Sequence, residues 1–169
     1  GGSCFKKDIL NLVYLSKYFG LNEVAKFWAS VVELNAWHQQ RISKLIVKKL
    51  FGTVTGKKIC ILGFAFKANT NDTRESAAIN ICKDLLEEGA ILFINDPKVE
   101  ISQIEKDLNK KENANLITLE NKFINSIEGE WCFIRKTDYG FLGADAVVVL
   151  TEWEDYSEIN WENVEKKMR

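Results

Sequence analysis

The chain has 169 residues, of which 46% are hydrophobic and 28% are charged, so a folded soluble core is expected. The 23 basic and 24 acidic residues leave a net charge of −1, which argues against a non-specific nucleic-acid binder. No apolar run approaches the ~20 residues that a membrane-spanning helix needs. Four cysteines without a CxxC pair and a single histidine argue against a zinc site and favour free thiols in a reducing, cytoplasmic compartment.

The amino-terminal part of the chain predicts two helices. Apolar residues at helical spacing over 6–19, followed by Gly20, predict a short first helix. Asn22 is a candidate cap for a second helix that runs to about Phe51, roughly 40 Å at ~1.5 Å per residue. Because so long a helix rarely covers one small core, it suits a spine between domains or a dimer surface. Four apolar side chains at helical spacing predict self-association: Val24, Phe27, Trp28 and Val31.

The rest of the chain alternates between strands and helices. Residues 57–63 and 90–95 are predicted strands, with a helix over 75–88 between them. A further strand over 144–150 is apolar on both faces, which favours a central position in a parallel sheet. This order predicts a Rossmann-like, doubly wound parallel α/β sheet over residues 53–169, preceded by the helical region.

The stretch between the second and the last of these strands is polar. Residues 100–125 predict a weak helix, a loop and a short strand at 116–119, and residues 123–127 predict the start of another helix. The tail after Trp153 predicts one or two polar helices. We assign no chemistry to the polar stretch.

The ends of the first two strands bear on cofactor binding. A dinucleotide cradle after the first strand needs GxGxxG, because glycines let the backbone reach the pyrophosphate, and only Gly63 is present. NAD is therefore not expected in the usual cradle of this sheet. Asp96 follows the second strand, where such folds carry a ribose-binding acid, but Asp-Pro is also a common turn. Without the glycines, a turn is the favoured interpretation.

A polar loop follows the first strand and is a candidate binding site. It lies at the carboxyl end of that strand, where open α/β sheets bind ligands. Lys67 and Arg74 in this loop are suited to phosphates or carboxylates, which arginine binds through two parallel hydrogen bonds. The alternative is a solvated loop in which Asp72 or Thr73 caps the next helix.

Cys4 is the candidate nucleophile. It precedes the first predicted helix, whose positive amino-terminal end favours a thiolate, and Lys6 and Lys7 add positive charge. Asp8 lies one turn further on and is suited to hold a water molecule or a proton. The alternative is an ordinary thiol beside a solvated charge cluster. The other cysteines lie in apolar segments and are expected in the core: Cys60, Cys82 and Cys132.

Separated motifs in this chain resemble those of the nucleotide-sugar dehydrogenases. They are residues 1–8 (GGSCFKKD), 63–67 (GFAFK), 71–76 (NDTRES), 95–97 (NDP) and 151–153 (TEW). Their order and spacing resemble the family over nearly the whole chain, and residues 11–15 (NLVYL) with the helix after them are most similar to members that oxidise UDP-glucose. The alternatives are a dehydrogenase of GDP-mannose or UDP-N-acetylmannosamine, and a non-catalytic α/β binding or dimerisation module.

The resemblance implies a place for this chain in a larger enzyme. The family has an amino-terminal Rossmann domain for NAD, a central helical region and a carboxyl-terminal α/β domain that helps hold the UDP-sugar. Residues 1–52 then correspond to the end of the central region, and residues 53–169 to most of the UDP-sugar-binding domain. The NAD-binding domain is not in this sequence, so the chain alone is expected to be inactive. The start at residues 1–3 fits the edge of a longer chain or an artificial linker.

The resemblance also implies roles for individual residues. UDP-glucose is oxidised twice at C6 with NAD, which gives UDP-glucuronate. Cys4 resembles the nucleophile that holds a thiohemiacetal and then a thioester, and Asp8 resembles the residue that activates water. Phe66 and Lys67 resemble substrate contacts. The implied cofactor-binding residues are Cys4, Phe5, Lys6, Lys7 and Arg74. A homo-oligomer, a dimer or larger, is implied as well.

Overall fold

The computed structural model describes residues 3–117 and 128–169, and it begins with a pair of helices. Helix α1 spans Ser3–Tyr18 and helix α2 spans Asn22–Lys49. Between them Gly20 adopts a φ of 74°, a left-handed conformation that favours glycine. Both predicted helices are confirmed. The predicted cap is wrong by one residue, because Leu21 occupies the cap position of α2 and makes no side-chain cap bond.

A parallel sheet of four strands follows the helical pair. The strands are β1 Lys58–Leu62, β2 Ile91–Asn95, β3 Glu130–Phe133 and β4 Ala146–Val149. They lie in the order β3-β2-β1-β4, and each neighbouring pair is parallel. The helices are α3 Ala77–Glu87, α4 Ile101–Leu108, α5 Thr137–Phe141, α6 Glu154–Ser157 and α7 Trp161–Lys167. The predicted Rossmann-like α/β fold is confirmed, since helices connect parallel strands throughout.

Strand β4 lies at an edge of this sheet rather than at its centre. It pairs with β1, with Ile59 opposite Ala146, and no other strand of the described residues pairs with it. Val149 is accordingly 46% exposed. The predicted central position is therefore wrong. An unbroken apolar run identifies a buried-type strand, but it does not determine the order of strands in the sheet.

The polar stretch is the part that the sequence predicted least well. The helix expected there is confirmed as α4, but strand β3 was not predicted. A 3-10 helix, Ala114–Ile117, stands where the short strand at 116–119 was expected, and that prediction is wrong for the residues described. The rest of that strand and the helix expected over 123–127 lie outside the described residues.

The core of the molecule lies between the sheet and its helices. Cys60, Cys82 and Cys132 are buried there as free thiols, as expected. Helix α2 packs on α3, where the Ser43 hydroxyl donates a hydrogen bond of 2.5 Å to an Asp84 carboxylate oxygen. None of the helices in the described ranges is long and apolar enough to cross a membrane.

Candidate active site

The predicted binding motifs meet at the carboxyl end of the sheet. Strand β1 lies between β2 and β4, so the loops that follow these three parallel strands leave the sheet at the same edge. Residues 63–67, 95–97 and 151–153, which are three of the motifs noted in the sequence, lie at or directly after the ends of these strands. The topology therefore brings together segments that lie far apart in the chain.

The loop that carries Phe66 and Lys67 is held through its backbone. Gly63 N donates to Asn95 O at 2.8 Å, and Phe66 N donates to Asp72 O at 3.0 Å. Phe66 is half-buried and Lys67 is exposed, with its ammonium nitrogen 5.3 Å from the Phe66 ring centroid. The two side chains predicted to contact substrate thus stand on a fixed backbone and are open to a ligand.

Gly63 allows the loops after β1 and β4 to approach closely. Its φ of 92° is in the left-handed region, and a Cβ added there would collide with the side chain of Thr151. The single glycine of the incomplete GxGxxG pattern therefore serves loop packing. A pyrophosphate is not needed to explain why glycine occupies this position.

Arg74 is oriented by the carboxylate of Asp72. Its Nε and Nη2 donate to the two Asp72 oxygens at 2.9 and 2.7 Å. These hydrogen bonds lower the pKa of Asp72 to about 2 and raise the pKa of Arg74 above its usual value. The Arg74 side chain is 78% exposed, so it keeps N–H groups available for an anionic ligand. The next helix is capped by neither predicted residue, because its N-cap is Ser76.

The amino-terminal end of α1 lies beside the Arg74 loop. Lys6 Nζ forms an ion pair of 2.8 Å with a carboxylate oxygen of Glu75, which is 69 residues further along the chain. Arg74 and Cys4 are close enough to interact electrostatically. Glu75 has a φ of 60°, which is uncommon for a residue with a side chain and concentrates at functional loops.

The predicted site residues thus fall into two groups. Cys4, Lys6 and Arg74 are brought together, and the exposed Phe5, Lys7 and Asp8 lie on the same helical turns. The second group is Phe66 with Lys67. Within residues 3–117 and 128–169, no hydrogen bond or ion pair links Cys4 or Asp8 to this second group. The same described ranges hold no cluster of three His, Cys, Asp or Glu residues that would suit a metal ion.

The sequence interpretation missed the buried polar residues behind this site. Asp96 does form the expected turn, because its Oδ1 accepts from Lys98 N and Val99 N, both at 2.9 Å. Its Oδ2, however, accepts from the loop after β1, and so connects the two loops. The signal was available, since the ends of neighbouring parallel strands meet at one edge, but it required the strand order to be known.

Comparison with known proteins identifies the family. The model for the UDP-glucose/GDP-mannose dehydrogenase family, UDP binding domain, matches residues 60–169. The chain therefore belongs to this family. It is 44% identical over 174 residues to UDP-glucose 6-dehydrogenase of Bos taurus, covering 99% of this chain and 32% of that protein. The corresponding enzyme of Drosophila melanogaster is 42% identical over 168 residues, again with 99% of this chain covered and 34% of the relative.

Solved structures extend the similarity to the fold. A UDP-glucose dehydrogenase from the archaeon Pyrobaculum islandicum superposes with a TM-score of 0.71 at 24% identity, over 95% of this chain and 32% of that one. A GDP-mannose dehydrogenase from Pseudomonas aeruginosa gives a TM-score of 0.61 at 25% identity, over 92% and 32%. The chain spans about a third of the length of the curated relatives it matches. The fold shared with the archaeal enzyme includes the helical pair, because nearly the whole chain is covered.

Proposed function

We propose that this chain is the carboxyl-terminal part of an NAD-dependent enzyme that oxidises UDP-glucose to UDP-glucuronate, and that it supplies the nucleophile. The observation that carries the proposal is the ion pair of Lys6 with Glu75, which holds the helix end that bears the exposed thiol of Cys4 against the loop after β1. Relatives that are 42–44% identical and are named UDP-glucose 6-dehydrogenase favour UDP-glucose over other nucleotide sugars. Residues 1–52 belong to the central helical region in this proposal, and residues 53–169 to the UDP-sugar-binding domain.

Cys4 performs the covalent step. Its thiolate attacks the C6 aldehyde that the first oxidation produces, and the carbonyl oxygen takes up a proton to give a thiohemiacetal. Loss of a hydride and of that proton leaves a thioester. Asp8 accepts a proton from the water that attacks the thioester carbon, and the C–S bond then breaks. UDP-glucuronate leaves, and the Cys4 thiolate is restored.

Phe66 and Lys67 hold the substrate. The ammonium group of Lys67 is exposed and is not in an ion pair with any described residue, so it is available for a charge-assisted hydrogen bond to the sugar or its neighbouring groups. Phe66 offers part of its ring as an apolar surface beside that ammonium group. Because the backbone of this loop is bonded to Asn95 and Asp72, little ordering is needed on binding.

The residues around Cys4 fit the NAD that the family implies. When bound, NAD accepts the hydride from C6 in each oxidation. The preoriented and exposed guanidinium of Arg74 suits a diphosphate, and Lys7 presents a second cation without a described ion pair. Lys6 is already bound to Glu75 and contributes by holding the helix end in place. Phe5, which is exposed, and Cys4 complete the proposed set of NAD-binding residues.

We also propose that helix α2 joins copies of the protein. Val24 and Phe27 are exposed on α2, while Trp28 and Val31 are half-buried. The exposed apolar side chains continue along the helix to Leu34 and Trp37. A continuous apolar surface on one helix is typical of an interface between subunits.

The deciding experiment measures NADH formation by the full-length enzyme with UDP-glucose, GDP-mannose and UDP-N-acetylmannosamine. We expect two NADH per UDP-glucose consumed and little reduction with the other sugars. The 169-residue chain alone is expected to form none, because the nicotinamide has no cradle there. A preference for another nucleotide sugar contradicts the substrate. A complete lack of reduction with all three favours a binding or dimerisation module.

A further inference from the structure

Asp96 is a buried carboxylate whose oxygens are fully used by the protein itself. It is only 4% exposed. Its Oδ2 accepts from Phe64 N at 2.7 Å and from Ala65 N at 3.0 Å, and the Trp153 indole N–H donates to the same oxygen at 3.2 Å. The turn after β2 occupies Oδ1. Asp96 stands in the sequence position of a ribose-binding acid, but its two oxygens accept hydrogen bonds from the protein itself. It therefore has no acceptor left for a ribose hydroxyl.

The carbonyl groups of the same two residues are held from other directions. The Thr151 hydroxyl donates to Ala65 O at 2.6 Å, and the Ser76 hydroxyl donates to Phe64 O at 2.8 Å. Both N–H groups and both carbonyls of Phe64 and Ala65 are thus bonded to side chains: Asp96 after β2, Thr151 after β4 and Ser76 at the N-cap of α3. All three side chains are buried. We call this arrangement, formed by Asp96, Thr151 and Ser76 around residues 64–65, the loop clamp.

The loop clamp lies directly before the residues proposed to hold the substrate. Phe66 follows Ala65 without a break, so the position of its ring and of the Lys67 ammonium depends on the backbone that the clamp fixes. Two converging N–H groups on one oxygen require an acceptor without hydrogens, and a carboxylate provides it. An amide at this position would direct an N–H group at donors on one side or the other.

We propose that Asp96 is a positioning residue of the enzyme, which with Thr151 holds Phe66 and Lys67 in the arrangement that binds the nucleotide sugar. This inference rests on the function proposed above. It adds that substrate affinity depends on residues that never touch the substrate.

The test compares KM with kcat in the full-length enzyme for UDP-glucose. Asp96→Asn is expected to raise KM about tenfold or more with a smaller change in kcat, since a charged hydrogen-bond acceptor is lost. Thr151→Val removes only the hydroxyl and is expected to raise KM about three- to tenfold. Thr151→Ser keeps the hydroxyl and should return KM to within about twofold of the wild type. If Asp96→Asn does not fold, the comparison of Thr151→Val with Thr151→Ser tests the proposal instead.

Two controls separate positioning from stability and from the choice of substrate. Cys82→Ser lowers the melting temperature without touching the clamp, so its KM should equal that of the wild type. Amide hydrogen exchange of residues 63–67, measured without substrate, should be faster in Asp96→Asn and Thr151→Val only. Unchanged KM in both clamp variants, or an equal rise in Cys82→Ser, overturns the proposal. If the wild-type enzyme does not oxidise UDP-glucose, the proposed function fails. Hydrogen exchange then tests the loop clamp by itself, and wild-type exchange rates in Asp96→Asn and Thr151→Val overturn it.

Discussion

The cysteines of the helical pair and of the sheet differ in their exposure to solvent. Cys60, Cys82 and Cys132 lie inside the sheet region, the part of the chain from β1 onwards (58–169). Burial there raises the pKa of Cys60 and of Cys132 to about 12, and it also raises the pKa of Cys82. Cys4 on the helical pair is exposed, two residues before the Lys6 ammonium that pairs with Glu75. Buried thiols in apolar surroundings are chemically inert, whereas an exposed thiol near a cation is suited to react. Cysteine therefore fills the core in one region, and in the other it is exposed at the position that we propose for the nucleophile.

The two regions differ in the same way in their apolar surface. Large side chains of the sheet region, such as Trp131 and Phe64, are fully buried. Many large side chains of the helical pair are exposed: Phe5, Leu10, Tyr14, Tyr18, Phe19, Phe27, Leu34 and Trp37. The sheet region thus buries its largest core side chains, while the helices present more apolar surface to solvent.

The largest effect we expect separates the cysteines of the two regions. In the full-length enzyme, Cys4→Ser should lower turnover by about three orders of magnitude or more, because a serine hydroxyl is a weaker nucleophile and its ester hydrolyses more slowly. UDP-glucose binding should persist. Serine at the three buried positions should instead cost about 1–3 kcal/mol of stability with little change in turnover of folded enzyme. Steady-state NADH production at matched folded concentration checks this, and near wild-type turnover by Cys4→Ser contradicts the mechanism.

A smaller effect separates two exposed acids. Asp8→Asn should lower kcat about 100-fold by slowing hydrolysis of the thioester, because the water loses its base. Asp138, which pairs with Lys167 on the surface of the sheet region, is the matched control. Asp138→Asn should leave kcat unchanged. Mass spectrometry of quenched turnover should show substrate attached to Asp8→Asn enzyme, and its absence together with normal kcat would remove Asp8 from the mechanism.

The apolar surface offers a third comparison. Phe27 on α2 is 60% exposed, and Phe27→Glu should weaken self-association about tenfold or more by placing a charge in the interface. Tyr139 is an exposed aromatic residue of the sheet region, and Tyr139→Glu should have no effect. Sedimentation over a range of concentrations distinguishes them. A wild-type protein that is monomeric at every concentration argues against the interface.

The smallest effect concerns the loop after β1, which contacts the helical pair through the Lys6–Glu75 ion pair. The Arg74 hydrogen bonds lower the pKa of Asp72 from its ordinary value of 3.8 to about 2. Their stabilising contribution is therefore present above pH ~4 and is lost as the pH falls towards ~2. It should be slight, because Arg74 is exposed. An NMR titration of Asp72 should give a low midpoint in the wild type and an ordinary one in Arg74→Gln, and equal midpoints would argue against the pairing.

The parts of the fold that the sequence predicted are those with local signals. Strands β1 and β2 have apolar runs that end in glycine or Asp-Pro, and α2 has a long helical periodicity. Strand β3 has only the four residues EWCF within a polar stretch, so periodicity had too little length to reveal it. The position of β4 depends on which strand it pairs with, and its own composition does not encode that.

The candidate site shows the same division. The residues expected to react or bind stood out because exposed charges and a cysteine in a short motif are local features. The loop clamp did not stand out, because a turn at Asp-Pro is a sufficient explanation of Asp96 when only the sequence is known. Only the order of the strands shows that its second oxygen faces Phe64 and Ala65. Buried polar residues that act on a distant loop are thus the ones that a single sequence hides.

Helix α2 has a mechanical consequence. Its 28 residues extend about 42 Å, and the bond from Ser43 to Asp84 anchors its carboxyl-terminal part to α3. Asn22 lies about 31 Å from Ser43 along the helix, so a tilt of about 10° at that anchor would displace the far end by about 5.5 Å. Helix α1, which carries Cys4, packs along α2. A neighbouring subunit bound to α2, as proposed above, would therefore act on the helix that carries the thiol.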